Sequence, residues 1–242
     1  MRRGHWDNFN QSSNFYMSTI IMIMIPKIIH QVFWEFEKGR TLNCISDFRE
    51  SVRRTKEWCA ENNIDYKLWG LQECNQLIDK YPEYKTIWNE LPKQIMKADF
   101  IRYLILFDEG GIYLDCDVYP IRSMDPLWEK DIFFVRWFSD TKNTPYQAIL
   151  GSIATHPVYK DILLHCQESY YEKCEMEIYK TWTARFVFQT TGHFMVKRVL
   201  KNYKEIKLLP IVSVMNNTKN IWDFPDTYDA IFYDHSASTW YS

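Results

Sequence analysis

The chain has 242 residues, with 29 lysines and arginines against 31 aspartates and glutamates, for a net charge of −2. So even a balance excludes a general field for capturing nucleic acid or anionic membrane, and any phosphate recognition has to be local. The 46% hydrophobic and 25% charged content excludes a chain too polar to bury a core and fits one globular domain.

In chain order, residues 1–17 read as a loose N-terminal tail. Arg2 and Arg3 are followed by polar residues, without the apolar stretch of a signal peptide, and Met17 is a candidate start. Residues 18–242 read as the single domain. Ile20–Ile25 is aliphatic, but Pro26 and Lys27 interrupt it far short of the roughly 18 residues that a membrane span needs. With no export or anchoring signal, the expected location is cytoplasmic. The six cysteines form no C-x-x-C pair and read as reduced, mostly buried thiols.

The spacing predicts a first strand over Ile20–Phe33 and a helix over Ser46–Glu61, capped by Ser46, with Phe48, Val52, Thr55 and Cys59 on one face. Ile64, Tyr66 and Leu68 alternate as a short strand, and a helix from Leu71 stops before Pro82. The strongest helical stretch, Lys93–Phe107, closes at Glu109-Gly110-Gly111, where glycine permits a left-handed exit. A strand over Ile112–Val118 follows, then strands over Ile132–Trp137 and Ala148–Ala154 and a helix opened by Pro157. Thr190-Thr191-Gly192 breaks the chain, and Leu208–Val214 reads as the last strand. Alternating strands and helices predict an α/β fold with a mainly parallel central sheet flanked by helices.

Asp99 and Arg102 are three apart on a helix and share a face directed at the end of the following strand. On a strand, Asp115 and Asp117 project to one side while Ile112, Leu114 and Cys116 point to the core. Two neighbouring carboxylates repel unless a cation lies between them, and an all-oxygen site suits Mg²⁺ or Mn²⁺, which also bridge diphosphate oxygens. Such an ion would neutralise a departing nucleoside diphosphate. The bare Asp-x-Asp triplet also matches the nucleophile motif of haloacid-dehalogenase-like phosphohydrolases, although a mid-chain position without a later paired-aspartate motif argues against that class. A nucleotide-sugar-binding module without catalysis is the other alternative.

Over Lys97–Pro120 the sequence resembles the core motif of the DXD-containing glycosyltransferases of family 32, a mannosyltransferase-like group, and the clostridial glucosylating toxins. Ile25-Pro26-Lys27-Ile28-Ile29-His30-Gln31 is similar to the opening strand of that family, and Ala148–Pro157 to its segment ending in His-Pro. The resemblance implies a GT-A fold and a metal-dependent hexosyltransferase that uses a UDP- or GDP-sugar, a glycan or other hydroxyl acceptor, and Mn²⁺ or Mg²⁺, with retention at the anomeric carbon. It implies that Asp99 and Arg102 hold donor hexose hydroxyls, that Asp115 contacts ribose, sugar and metal, and that Asp117 ligates the metal. Phe33 or Trp34 would stack on the base. Near the C-terminus, His235 would be a third metal or phosphate contact, Ser238 or Thr239 would supply a hydroxyl, and Trp240 would cap the diphosphate. His30 reads as a hydrogen-bonded core histidine, and His193 is given no role.

Overall fold

The computed structural model describes residues 24–35, 41–136, 143–178, 183–209, 214–216 and 231–234. A five-stranded sheet contains β1 (Ile28–Val32), β2 (Asp65–Trp69), β3 (Gly111–Leu114), β5 (Ile132–Arg136) and β6 (Pro145–Ser152), in the order β2-β1-β3-β6-β5. A smaller sheet has the order β4-β8-β7, from β4 (Val118–Pro120), β7 (Val214–Asn216) and β8 (Phe232–Asp234). β1 pairs in parallel with β2 and β3, while β6 runs antiparallel to β3 and β5. Every strand of the larger sheet except β6 therefore points the same way, as the mainly parallel expectation requires.

The helices are α1 (Ser46–Glu61), α2 (Leu71–Asp79), α3 (Lys85–Glu90), α4 (Gln94–Asp108), α5 (Asp125–Trp128), α6 (Pro157–Lys173), α7 (Thr183–Thr190) and α8 (His193–Leu200). They cover both faces of the larger sheet, so its strand residues are sorted by alternation into two cores. Tyr113, Phe134 and Leu150 pack with α4 and α6, whereas Ile112, Leu114, Phe133, Val135 and Ile149 pack on the other face with Cys59 of α1. α4 is buried almost all round, from Ala98 to Leu106, which makes it the central helix rather than a surface one. Among the described residues, no helix is long and apolar enough to cross a membrane.

Several predicted boundaries move. The first strand begins at Ile28, after Pro26, which has no N–H for the ladder; residues 20–23 and the 1–17 tail lie outside the described residues. The helix over Ser46–Glu61 has the predicted span, but its N-cap is Ile45, without a side-chain cap, and Ser46 bonds Asp47 instead. The strand expected over Ile112–Val118 is two strands in different sheets, β3 and β4, separated by a turn. β6 starts at Pro145 and ends at Ser152, and β5 is described to Arg136, with Trp137 outside the described residues. Of the strand expected over Leu208–Val214, Leu209 makes a bridge to Val135 and Val214 opens β7, while residues 210–213 lie outside the described residues; the last described strand is β8.

The glycine pair sets where β3 begins. Gly110 and Gly111 have φ of +69° and +93°, a region that other residues enter only with strain. A Cβ on Gly111 would also lie 2.7 Å from Ile28 Cγ2 and 2.8 Å from the Ile28 carbonyl oxygen. Any side chain there would push β3 off β1.

Candidate active site

The site forms where β3 ends, held from β1 by two consecutive residues. His30, fully buried, accepts from Trp69 Nε1 at Nδ1 (3.1 Å), so its Nε2 carries the proton and donates to the Gly110 carbonyl (3.0 Å). Burial pushes its pKa from 6.5 down to about 3, so it is a neutral core histidine, as expected. Gln31 points the other way along β3. Its amide nitrogen donates to the carbonyls of Asp115 (3.1 Å) and Val118 (3.1 Å), and its amide oxygen accepts from the Tyr66 hydroxyl (2.9 Å). Those carbonyls bracket a turn closed by Val118 N–H donating to Asp115 O (2.9 Å). The Asp-x-Asp triplet therefore lies on a clamped turn beyond the strand, which corrects the expectation that strand alternation orients its carboxylates. Cys116 faces inward and donates to the Val32 carbonyl (3.3 Å), leaving Asp115 and Asp117 half-buried on either side of it.

A chain of charges runs inward from Asp115. Its Oδ1 accepts from Arg102 Nη1 (2.9 Å) and the Tyr113 hydroxyl (2.7 Å). Arg102 Nη2 reaches Asp99 Oδ1 (3.1 Å), and Asp99 Oδ2 accepts from the Thr191 hydroxyl (2.8 Å). Arg102 further donates from Nε to the Ala98 carbonyl (3.2 Å) and from Nη1 to that of Gln147 (3.0 Å). Of the five guanidinium N–H groups, one on Nη2 has no partner among the described residues. Asp99 is 5% exposed and Arg102 3%, so this is a buried ion pair built into the site, not a surface pair of marginal value. Burial raises the Asp99 pKa to about 6, against the opposing pull of Arg102 and Thr191. For Arg102, burial acts to lower the pKa, but Asp115, Tyr113 and Asp99 hold it above the ordinary value.

On the outer side, Tyr146 donates its hydroxyl to Asp234, which is fully buried beside β4 through the Val118–Asp234 pairing. Burial, then Asp234 and Asp117, and more weakly Asp115, push the Tyr146 pKa well up, so three carboxylates act on one phenol. Asp115 Oδ2 accepts no hydrogen bond among the described residues, which leaves it available to a ligand. Among those residues no three His, Cys, Asp or Glu side chains are gathered to hold a metal. Two carboxylates are nevertheless the set that Mg²⁺ takes when substrate phosphates complete its shell, so the donor chemistry fits such an ion.

Asp99, Arg102 and Asp115 are thus brought together as the sequence suggested, with Asp117 on the same turn. Phe33 is half-buried against Phe48 (ring centroids 6.1 Å apart), while Trp34 is buried, edge-on to Trp88 (6.2 Å), with its indole N–H on Gln94 (2.9 Å). His235, Ser238, Thr239 and Trp240 lie outside the described residues. Sequence reasoning missed Gln31, Tyr113, Tyr146, Thr191 and Asp234. Tyr113 was legible, because it stands two residues before Asp115; the others are contributed by distant elements.

The sheet order and its helical layers are a GT-A-like α/β fold, with the acid cluster where β3 ends. A solved structure titled PaToxG Glycosyltransferase shares the fold at a TM-score of 0.51 and 17% identity, covering 76% of this chain and 70% of its own. Residues 49–134, which include Asp99, Arg102, Asp115 and Asp117, match the family described as glycosyltransferase sugar-binding region containing DXD motif. The chain is 30% identical over 196 residues to mannosyl phosphorylinositol ceramide synthase CSH1 of Saccharomyces cerevisiae, covering 80% of this chain and 46% of the relative. It is 36% identical over 137 residues to inositol phosphoceramide mannosyltransferase 3 of Schizosaccharomyces pombe, covering 55% of this chain and 35% of the relative. The chain spans less than half the length of these curated relatives.

Proposed function

We propose that this chain is a metal-dependent hexosyltransferase that moves a sugar from a nucleoside diphosphate to a hydroxyl acceptor, with retention. The observation that carries the reading is the buried Asp99–Arg102–Asp115 chain ending at a half-buried Asp-x-Asp turn. Asp115 and Asp117 would hold Mn²⁺ or Mg²⁺, and the bound ion supplies Lewis-acid neutralisation of the leaving diphosphate. Arg102 fixes the Asp115 carboxylate, and its remaining Nη2 N–H suits a donor hydroxyl. Asp99 keeps the guanidinium in place. One curated relative is named a mannosyltransferase and the other a mannosyl phosphorylinositol ceramide synthase, which supports mannose as the first sugar to try, carried by GDP or UDP. The match to a glycosyltransferase region favours this reading over the phosphohydrolase one.

Incubating the purified chain with UDP- and GDP-hexoses, with Mn²⁺ or with chelator, tests the reading. Metal-dependent release or transfer of hexose is expected, with the first-formed product keeping the donor's anomeric configuration by NMR. Tight nucleotide-sugar binding with no sugar released or transferred would make the chain a binding module and defeat the proposal.

A further inference from the structure

We propose that Tyr146 is a positioning residue for the divalent cation: its bond to Asp234 braces the Asp-x-Asp turn from the face opposite Arg102, and so sets how tightly the turn holds an ion. This deepens the glycosyltransferase reading and rests on its metal assignment. Successive residues of β6 take hold of the turn from the two faces of the larger sheet. Gln147 sends its side-chain amide to Tyr103 and to the Thr191 carbonyl (3.3 Å) on the α4 face, where Arg102 holds Asp115. Tyr146 and Ala148 pack on the α1 face with Val118 and Phe232. There the matching hold is the Tyr146 hydroxyl, which donates to Asp234.

These contacts close a ring that contains Asp117. Asp115 N–H donates to the Ala148 carbonyl (2.9 Å), Tyr146 follows two residues back along β6, Asp234 pairs with Val118, and Val118 N–H donates to the Asp115 carbonyl (2.9 Å). The other links of the ring are backbone. The Tyr146–Asp234 bond is made by side chains, and it ties the larger sheet to the smaller one. Asp234 follows Phe232 on the same side of β8, and both are fully buried, at a position where an apolar side chain would cost less than a carboxylate. Asp117 and Asp115 act on the Tyr146 phenol together with Asp234, so three carboxylates crowd one hydroxyl, and their repulsion spreads the turn unless a brace or a cation opposes it. By giving its proton to Asp234, the phenol supplies the brace before the ion arrives. A site ordered in advance binds more tightly, because the ion does not have to gather its own ligands.

Titration of the full chain with Mn²⁺, in the presence of UDP or GDP and with free Mn²⁺ read by electron paramagnetic resonance, tests this. Tyr146→Phe is expected to weaken Mn²⁺ binding about tenfold, and to raise the Mn²⁺ needed for half-maximal donor turnover by the same factor, with kcat at saturating Mn²⁺ nearly unchanged. Asp234→Asn leaves an amide oxygen to accept from the phenol and is expected to lose only about threefold. Tyr81→Phe removes a phenol–carboxylate bond elsewhere, to Asp108 (2.7 Å) at the C-terminus of α4, and is expected to bind Mn²⁺ as wild type does. A melting curve checks each variant. Asp234→Ala breaks the same link from the other strand and takes the place of Tyr146→Phe should that variant not fold. Wild-type Mn²⁺ affinity in Tyr146→Phe overturns the brace and leaves the glycosyltransferase reading standing. Equal weakening by Tyr81→Phe also overturns it, because loss of any such bond would then act alike. A loss in Asp234→Asn as large as that in Tyr146→Phe makes Asp234 itself a ligand and overturns the positioning role. If Tyr146→Phe weakens Mn²⁺ as expected but the wild type releases sugar from no donor, the brace survives and the glycosyltransferase reading fails. A wild type that binds no Mn²⁺ overturns both.

Discussion

The two ends of β3 are held by neighbouring residues of the same strand, yet they are built from opposite chemistry. At the start, His30 is neutral, Gly110 and Gly111 leave no room for a side chain, and the contacts fix only where the backbone lies. At the end, Gln31 clamps a turn that carries two aspartates, and Asp115 Oδ2 accepts no hydrogen bond among the described residues. The first end is a packing solution. The second keeps polar capacity in reserve, and reserved capacity is what a ligand uses.

The contrast is sharpest for Asp117→Asn. Because Asp117 is half-buried on the turn, the variant should melt within a few degrees of wild type while metal-dependent donor turnover falls about 10³-fold. Full activity would remove the metal assignment. Arg102→Met should cost about 3–5 kcal/mol of stability, measured by urea unfolding, because it strands Asp99 in a buried site. A cost near zero would mean that the pair is not closed in solution. At the other end of the strand, Gly111→Ala should cost about 2–4 kcal/mol from backbone strain and the clash with Ile28, with donor affinity little changed in whatever fraction folds.

The smallest effect separates the two β1 residues by pH. His30 has its folded pKa held below the unfolded value, so the unfolded chain binds the proton first as pH falls. Its contribution is intact above about pH 6.5 and is lost progressively toward pH 3, at about 1.4 kcal/mol per pH unit. A His30→Gln variant should show a shallower loss of stability than wild type between pH 6.5 and 5. Parallel curves for the two would mean that His30 is already solvated and protonatable.

Most of the larger sheet and its helices were legible because their signals are local. Ser46–Glu61 carries a helical apolar stripe, Gly110-Gly111 marks a left-handed exit, and Pro157 opens α6. The Asp99–Arg102 face was legible for the same reason: a spacing of three on a helix predicts a contact whatever the tertiary fold. What escaped was decided by pairing across the chain. Ile112–Val118 alternates well enough to be one strand, but the Gln31 clamp and pairing with β8 bend it into two sheets at Asp115. Thr191 and Asp234 reach the site across about 90 and 120 residues of chain, and no local periodicity reports such an approach. Ser46 looked like a cap by composition, and the helix started one residue earlier than that reading required.

The reversed direction of β6 decides where the molecule tolerates alteration. Because it runs against its neighbours, the polypeptide enters the acidic edge at Pro145 and departs from the opposite edge at Ser152. Grafting a probe or a short insert into the turn that follows Ser152 would therefore leave the aspartates undisturbed. The same graft at Asn143 or Thr144 would fall just before Pro145, at the edge that holds the aspartates.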